Sequence, residues 1–88
     1  MKLDLNFQLK NLDGTLIEDG NAGKIIAQAL ANDTQGDALK WWEWAVKLNK
    51  GEVLTLDTSD KEKLIKFVQD HQGLPNITKA QVLSVLKK

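Results

Sequence analysis

Acid–base chemistry at neutral pH would fall first to His71, the only histidine in the chain, because imidazole titrates close to that range. No serine, threonine or carboxylate stands at a spacing that marks it as a partner for His71. A histidine in the last turn of a helix also interacts favourably with the helix dipole. Asp57, Asp60 and Glu62 could offer oxygens to a divalent cation, but the alternating acids and central glycine of a calcium loop are missing, and acids ahead of an apolar-periodic run suit a helix start. Gly20-Asn21-Ala22-Gly23-Lys24 ends as a phosphate loop does. Its spacing fails at both ends: Glu18 stands where the first glycine belongs and Ile25 where a metal-binding hydroxyl is needed. A bare helix N-terminus could still receive an anion there. With no cysteine, thiol nucleophiles, disulfides and cysteine-ligated zinc are excluded. The expectation is a protein that is not an enzyme and needs neither cofactor nor metal.

Trp41, Trp42 and Trp44 carry a different signal. Three indoles within four residues of one helix cannot all face one core, and tryptophan is enriched at the centres of binding surfaces. Helical spacing gathers Ala38, Leu39, Trp41, Trp42, Ala45, Val46 and Leu48 on one broad arc, opposite Lys40, Glu43 and Lys47, with Trp44 just outside it. Two readings follow. Either Trp44 closes the edge of the core over the hairpin or the last helix, or it is exposed and, with Lys40, Lys47 and Leu48, frames an apolar patch with a positive rim that meets another protein.

The elements that must position these residues are legible from periodicity. Leu3, Leu5, Phe7 and Leu9 alternate with polar residues as in a strand with one buried face. Asp13-Gly14 supplies a tight turn, and Thr15-Leu16-Ile17 returns as a second strand. After a loop at 18–21, Ala22, Ile25, Ile26, Ala29 and Leu30 recur at helical spacing. Asp37 or a neighbour caps a second helix that Gly51 ends near Asn49. Glu52 to Leu56 is a third strand or an extended linker. A third helix runs from about Asp57 to Gln72 with Leu64, Ile65, Phe67, Val68 and His71 on one face, stopped by Gly73 and Pro75. A last helix starts at Asn76 or Thr78; its apolar residues lie nearly all round, and Lys87 and Lys88 suit its C-terminus.

At 88 residues, 42% hydrophobic and 27% charged, the chain suits one small domain spanning 1–88. Twelve cations, all lysine, balance twelve acids, so the strong basic field of sequence-independent nucleic-acid or membrane binding is lacking. No stretch is long and apolar enough to span a bilayer, and a cytoplasmic location is expected.

Asn11-Leu12-Asp13-Gly14-Thr15-Leu16 resembles the first motif of haloacid dehalogenase-type phosphotransferases. Asn11 occupies the place of the nucleophilic aspartate, and an amide cannot form the aspartyl-phosphate; a hairpin turn is the expected use. The order of motifs over nearly the whole chain is more informative: the hairpin with Leu-Asp-Gly, an Ala-rich helix, Gly36-Asp37-Ala38-Leu39-Lys40, Trp44-Ala45-Val46-Lys47-Leu48, Gly51-Glu52-Val53-Leu54, Leu56-Asp57 and the closing Lys79-Ala80-Gln81-Val82-Leu83. It resembles small, largely uncharacterised proteins encoded by tailed phages, prophages and related bacterial mobile elements. Members of that group commonly carry tyrosine or phenylalanine where this chain has tryptophan. The resemblance implies a phage-type accessory or assembly role, and no catalytic or binding residues carry over from it.

The sequence thus predicts an α+β domain, mainly helical, with an N-terminal β-hairpin on four short helices. Leu3, Leu5, Phe7, Leu9, Ile25, Leu30, Trp41, Trp42, Val46, Leu64 and Val68 form its expected core. The expected function is a protein–protein interaction module acting through the helix around Trp44, or through a hairpin edge that could pair with a second copy. A small nucleic-acid-binding regulator using Lys61, Lys63 and Lys66 is the alternative, disfavoured by zero net charge and the absence of arginine.

Overall fold

A computed structural model describes residues 1–87, so the expectation for Lys88 lies outside the described residues. The order is β1 (Lys2–Leu3), β2 (Gln8–Lys10), β3 (Leu16–Asn21), α1 (Ala22–Asn32), α2 (Ala38–Asn49), β4 (Leu54–Thr55), α3 (Thr58–Asp70) and α4 (Asn76–Leu86). The α+β, mainly helical class with an N-terminal hairpin is what the chain adopts.

The alternation in the first ten residues is kept as burial but not as one strand. Leu3, Leu5 and Leu9 are buried, Phe7 is half-buried and every polar residue between them is exposed. The backbone breaks at Asn6, whose N–H turns back to Asp4 Oδ1 (2.9 Å), while the Phe7 N–H reaches the Leu5 carbonyl (2.8 Å). That kink frees the Leu5 and Phe7 carbonyls to accept the Gly23 and Ala22 N–H groups at 2.9 and 2.8 Å. Two donors of the first turn of α1, which have no partner inside the helix, are satisfied there. A Cβ at Gly23 would lie 3.1 Å from the Leu48 carbonyl and 3.2 Å from that of Leu5, so glycine is what lets α1 come so close.

The kink sends the two halves of the expected strand to different partners. β1 pairs antiparallel with β4, Lys2 opposite Thr55 and Leu3 opposite Leu54, which makes the 52–56 segment a strand rather than a linker. β2 pairs antiparallel with β3, where a step of two residues (Gln8 to Lys10) faces a step of five (Leu16 to Asn21). β3 absorbs the excess as a bulge through Asp19, at φ +57°, and a buried Gly20. The loop expected at 18–21 is therefore strand, and glycine at position 20 permits its bulge, since a Cβ there would lie 2.9 Å from the Ile17 side chain.

The hairpin turn accounts for the phosphotransferase-like motif. Asn11 N–H donates to the Thr15 carbonyl (2.7 Å), Gly14 takes φ +88°, and Thr15 donates to Asp13 Oδ1 from both N–H (3.0 Å) and hydroxyl (2.7 Å). The hydroxyl bond first, then the backbone one, hold the Asp13 carboxyl below its usual pKa of 3.8.

The helices start where capping chemistry predicts. Asn21, Asp37 and Asp57 accept from the N–H groups of Lys24, Lys40 and Asp60, each satisfying a donor that the helix cannot. α2 ends in a Schellman motif: Gly51, at φ +79°, donates to Leu48 and Glu52 donates to Lys47. α3 stops at Asp70, two residues short of the expected Gln72: His71 turns to extended backbone and its Nδ1 accepts the Gly73 N–H at 3.0 Å, while the Lys79 ammonium donates to the Gln69 carbonyl at 3.0 Å, satisfying an acceptor that the last turn leaves open. α4 packs on its own domain through Val82 and Leu86, with Ile77, Leu83 and Val85 half-buried, and Lys87 caps it.

The core is leucine-rich and continuous, joining both strand pairs to all four helices. Of its expected members, Leu3, Leu5, Leu9, Leu30, Trp41, Leu64 and Val68 are buried, and Phe7 and Ile25 pack at its margin. Val46 is only half-buried, and Trp42 lies outside the core at 62% exposure.

Candidate functional site

The apolar arc of α2 is wider than the surface the core offers it. The buried residues are Trp41, Trp44, Ala45 and Leu48. At about 100° per residue, their centre lies about 80° away from the centre of the arc expected from sequence. Polar partners set this roll. A buried indole needs an acceptor for its N–H, and the Trp41 Nε1–H finds Asp33 Oδ2 at 3.1 Å on the far side of the α1–α2 connection. The Trp41 ring then packs against Trp44 at a tilt of 35°, centroids 5.2 Å apart, and meets Phe67 of α3 edge-on at 5.6 Å. On the same side the Lys40 ammonium donates to Asp60 Oδ1 at 2.7 Å and lies 5.8 Å from the Trp44 ring centroid, tying α2 to α3.

The residues singled out for an exposed patch are therefore placed otherwise. Trp44 is 6% exposed and Leu48 2%, so the reading of Trp44 as part of the core holds, and it closes that core beneath Lys40. Lys47 lies on the surface in an i,i+4 pair with Glu43, at 3.5 Å. The tryptophan that faces solvent is Trp42. One turn before it stands Leu39 at 84% exposure, and one turn after it the half-buried Val46. Beside Trp42 runs a shallow groove of about 140 Å³ between α1 and α2, floored by Ala27, Ala31 and Ala45. Of the two readings of Trp44 the buried one holds, and the indole that faces out is Trp42, expected in the core, because an arc of seven apolar residues leaves the roll of the helix undecided.

A second concavity, an open cleft of about 600 Å³, lies between the α1–α2 connection and the outer side of α3. It brings together Lys63 and Lys66 but not Lys61, and its floor is Trp41, Phe67 and His71, whose ring is 5.2 Å from that of Phe67. Asp33, Asp37 and Asp70 line the same cleft, so a phosphate beside the two lysines would also face three carboxylates. Lys10, on the free side of β2, has both backbone groups taken by the Gln81 carboxamide, each bond 2.8 Å long. That side chain stands where a neighbouring strand would pair, and it closes this part of the hairpin edge. Among the described residues no group of three His, Cys, Asp or Glu is placed to hold a metal ion, and no helix is long and apolar enough to cross a membrane.

The Lys40–Asp60 bond gives a pH prediction. The Asp60 hydrogen bond holds the Lys40 ammonium above its ordinary value of 10.5, with desolvation acting in the opposite direction. A group whose pKa is raised by folding stabilises the fold below its unfolded value, and that contribution is lost as pH rises through the folded one. The gap in melting temperature between wild type and Asp60→Asn should therefore be full at about pH 9 and shrink above about pH 10.5. A gap that stayed constant to about pH 12 would remove the ion pair as its source.

Comparison of the chain with protein-family models, with curated proteins and with solved structures finds no match.

Proposed function

We propose that this protein is a non-enzymatic protein-interaction module whose contact face is the outer side of α1 and α2, anchored by Trp42 and Leu39. The observation that carries the reading is the exposure of Trp42, at 62%, beside Leu39 at 84%, while the two neighbouring indoles are buried. Exposing an indole and a leucine side by side costs hydration free energy that burial against a partner returns. Tryptophan at the centre of a patch is a usual anchor of an interface. The alanine-floored groove next to them gives a partner's side chain a place to enter. An accessory or assembly role of the phage type, implied by the resemblance in sequence, accords with a module of this kind.

The reading is tested by affinity purification of a tagged chain from its host beside Trp42→Ala, with circular dichroism first establishing that both are folded. A stoichiometric protein, lost in Trp42→Ala, is the expected result. Identical recoveries from both chains would overturn the face. Recovery of nucleic acid alone, released by moderate salt as counterion release requires, would favour the regulator and direct attention to Lys63 and Lys66, the two lysines that share the cleft.

A further inference from the structure

We infer that the α3–α4 turn is a proton-operated latch: one lone pair of the His71 imidazole holds the turn closed beside the cleft, and a proton on that nitrogen releases it. This goes beyond the interaction face and does not depend on it. The Gly73 N–H donates to His71 Nδ1 at 3.0 Å, so the ring in this arrangement is neutral and carries its proton on Nε2. Imidazolium is a donor at both nitrogens and an acceptor at neither. A proton and the Gly73 N–H therefore compete for the same lone pair, and only one of them can have it.

The turn is built round the ring. Gly14, Gly36 and Gly51 sit at positive φ, but Gly73 does not, so its backbone conformation is open to any residue. What glycine supplies there is room. A Cβ at position 73 would lie 2.8 Å from His71 Cε1 and 3.2 Å from Nδ1. The same ring lies 5.2 Å from that of Phe67 and forms part of the cleft floor. Within the turn, Gln72, Gly73 and Pro75 are exposed, Leu74 is buried, and α4 begins without a side-chain cap. Release is therefore local: Leu74 and the Lys79–Gln69 bond, 3.0 Å long, keep the two helices joined.

The charged groups that face His71 are Lys63, Lys66 and Asp70 of α3 and Asp33 and Asp37 of the α1–α2 connection, all lining the same cleft. From α4, the Lys79 ammonium lies on the Gln69 carbonyl. Aspartate and lysine as classes titrate below about pH 5 and above about pH 9, which leaves the imidazole to change the charge of the cleft between them. With the ring neutral, three carboxylates face two ammoniums there; the imidazolium makes the numbers equal. Its Nδ1–H, now a donor, has those carboxylates to turn toward. A ring that turns leaves Phe67, so the proton alters both the charge and the floor of the cleft.

Imidazole nitrogen NMR of the wild-type chain at about pH 8 should find Nδ1 unprotonated and the proton on Nε2; the reverse tautomer overturns the latch. Between about pH 8 and about pH 5.5 the Gly73 amide proton should shift upfield in step with the His71 titration, with circular dichroism unchanged. His71→Asn keeps an acceptor for an N–H two residues on, as in an Asx turn, but has no proton to gain, and its Gly73 amide should show no such step. Gly73→Ala should displace the ring without acid, so that the His71–Phe67 ring contacts seen by NMR in the wild type at about pH 8 are already lost. A Gly73 amide indifferent to the His71 titration, or the same step in His71→Asn, overturns the inference. A Gly73→Ala chain whose ring stays on Phe67 overturns the packing of turn against ring on which it rests.

Discussion

Trp44→Ala should remove a large part of the stability of this protein, while Trp42→Ala, at the same kind of residue two positions away, should cost about 1 kcal/mol or less. Trp44 is 6% exposed, its ring packed against Trp41 with centroids 5.2 Å apart and covered by the Lys40 ammonium at 5.8 Å. Truncating it forfeits the transfer free energy of the indole and leaves a cavity that rigid neighbours cannot fill, at a cost of about 3–5 kcal/mol. A domain of 88 residues has in total only about 4–13 kcal/mol, at roughly 0.05–0.15 kcal/mol per residue. The variant would thus melt far below wild type or not fold at all.

Trp42 loses little on truncation, because 62% of it already faces water, and alanine's better helix propensity returns up to about 0.5 kcal/mol. Urea unfolding followed by circular dichroism, which does not depend on the indoles removed, measures both. Equal costs at the two positions would mean that α2 is rolled differently, and the exposed face would go with it.

How much of this could be read from the residues depends on whether the determinant is local. Asn21, Asp37 and Asp57 cap helices by bonding to donors three residues on, and all three starts were foreseeable. Alternation from Leu3 to Leu9 reports which side chains face the core but says nothing about hydrogen bonding. The kink at Asn6 is invisible to it, because burial continues in step while the pairing changes partner, and the partner of β1 lies some fifty residues away at Leu54. The roll of α2 fails for the same reason. Its periodicity allowed a broad arc, and the choice within it was made by Asp33, Asp60 and Phe67, contributed by the α1–α2 connection and by α3. The overhang of Leu39, Trp42 and Val46 is the remainder of an arc too wide for its core. A count of apolar residues could have signalled that remainder, though not which residues compose it.

Gly36 holds that roll in place, and Gly36→Ala should be costlier than the matched change at Gly14. Both glycines sit at nearly the same positive φ, +89° and +88°, where a Cβ alone costs about 1–2 kcal/mol. At Gly14, on the hairpin turn, the new methyl would meet nothing within 4 Å, so the backbone penalty is the whole effect. At Gly36 it would lie 2.6 Å from Trp41 Nε1 and 3.0 Å from Cε2. The indole is held by Asp33 at 3.1 Å and flanked by Trp44 and Phe67, so it yields only by giving up one of these contacts. Either the overlap is borne as strain, adding about 1–3 kcal/mol, or the ring tilts and its N–H loses Asp33 at a similar cost.

Gly36→Ala is therefore expected to cost about 3 kcal/mol or more in total, against about 1–2 kcal/mol for Gly14→Ala, read from urea midpoints at unchanged slope. If the ring tilts, α2 turns with it and the exposure of Trp42 changes, so iodide quenching of the single exposed indole would shift in Gly36→Ala and not in Gly14→Ala. Equal costs with unchanged quenching would mean that the α1–α2 connection yields freely, and that the outward face of α2 is set by Lys40 and Asp60 rather than by the contact between Gly36 and Trp41.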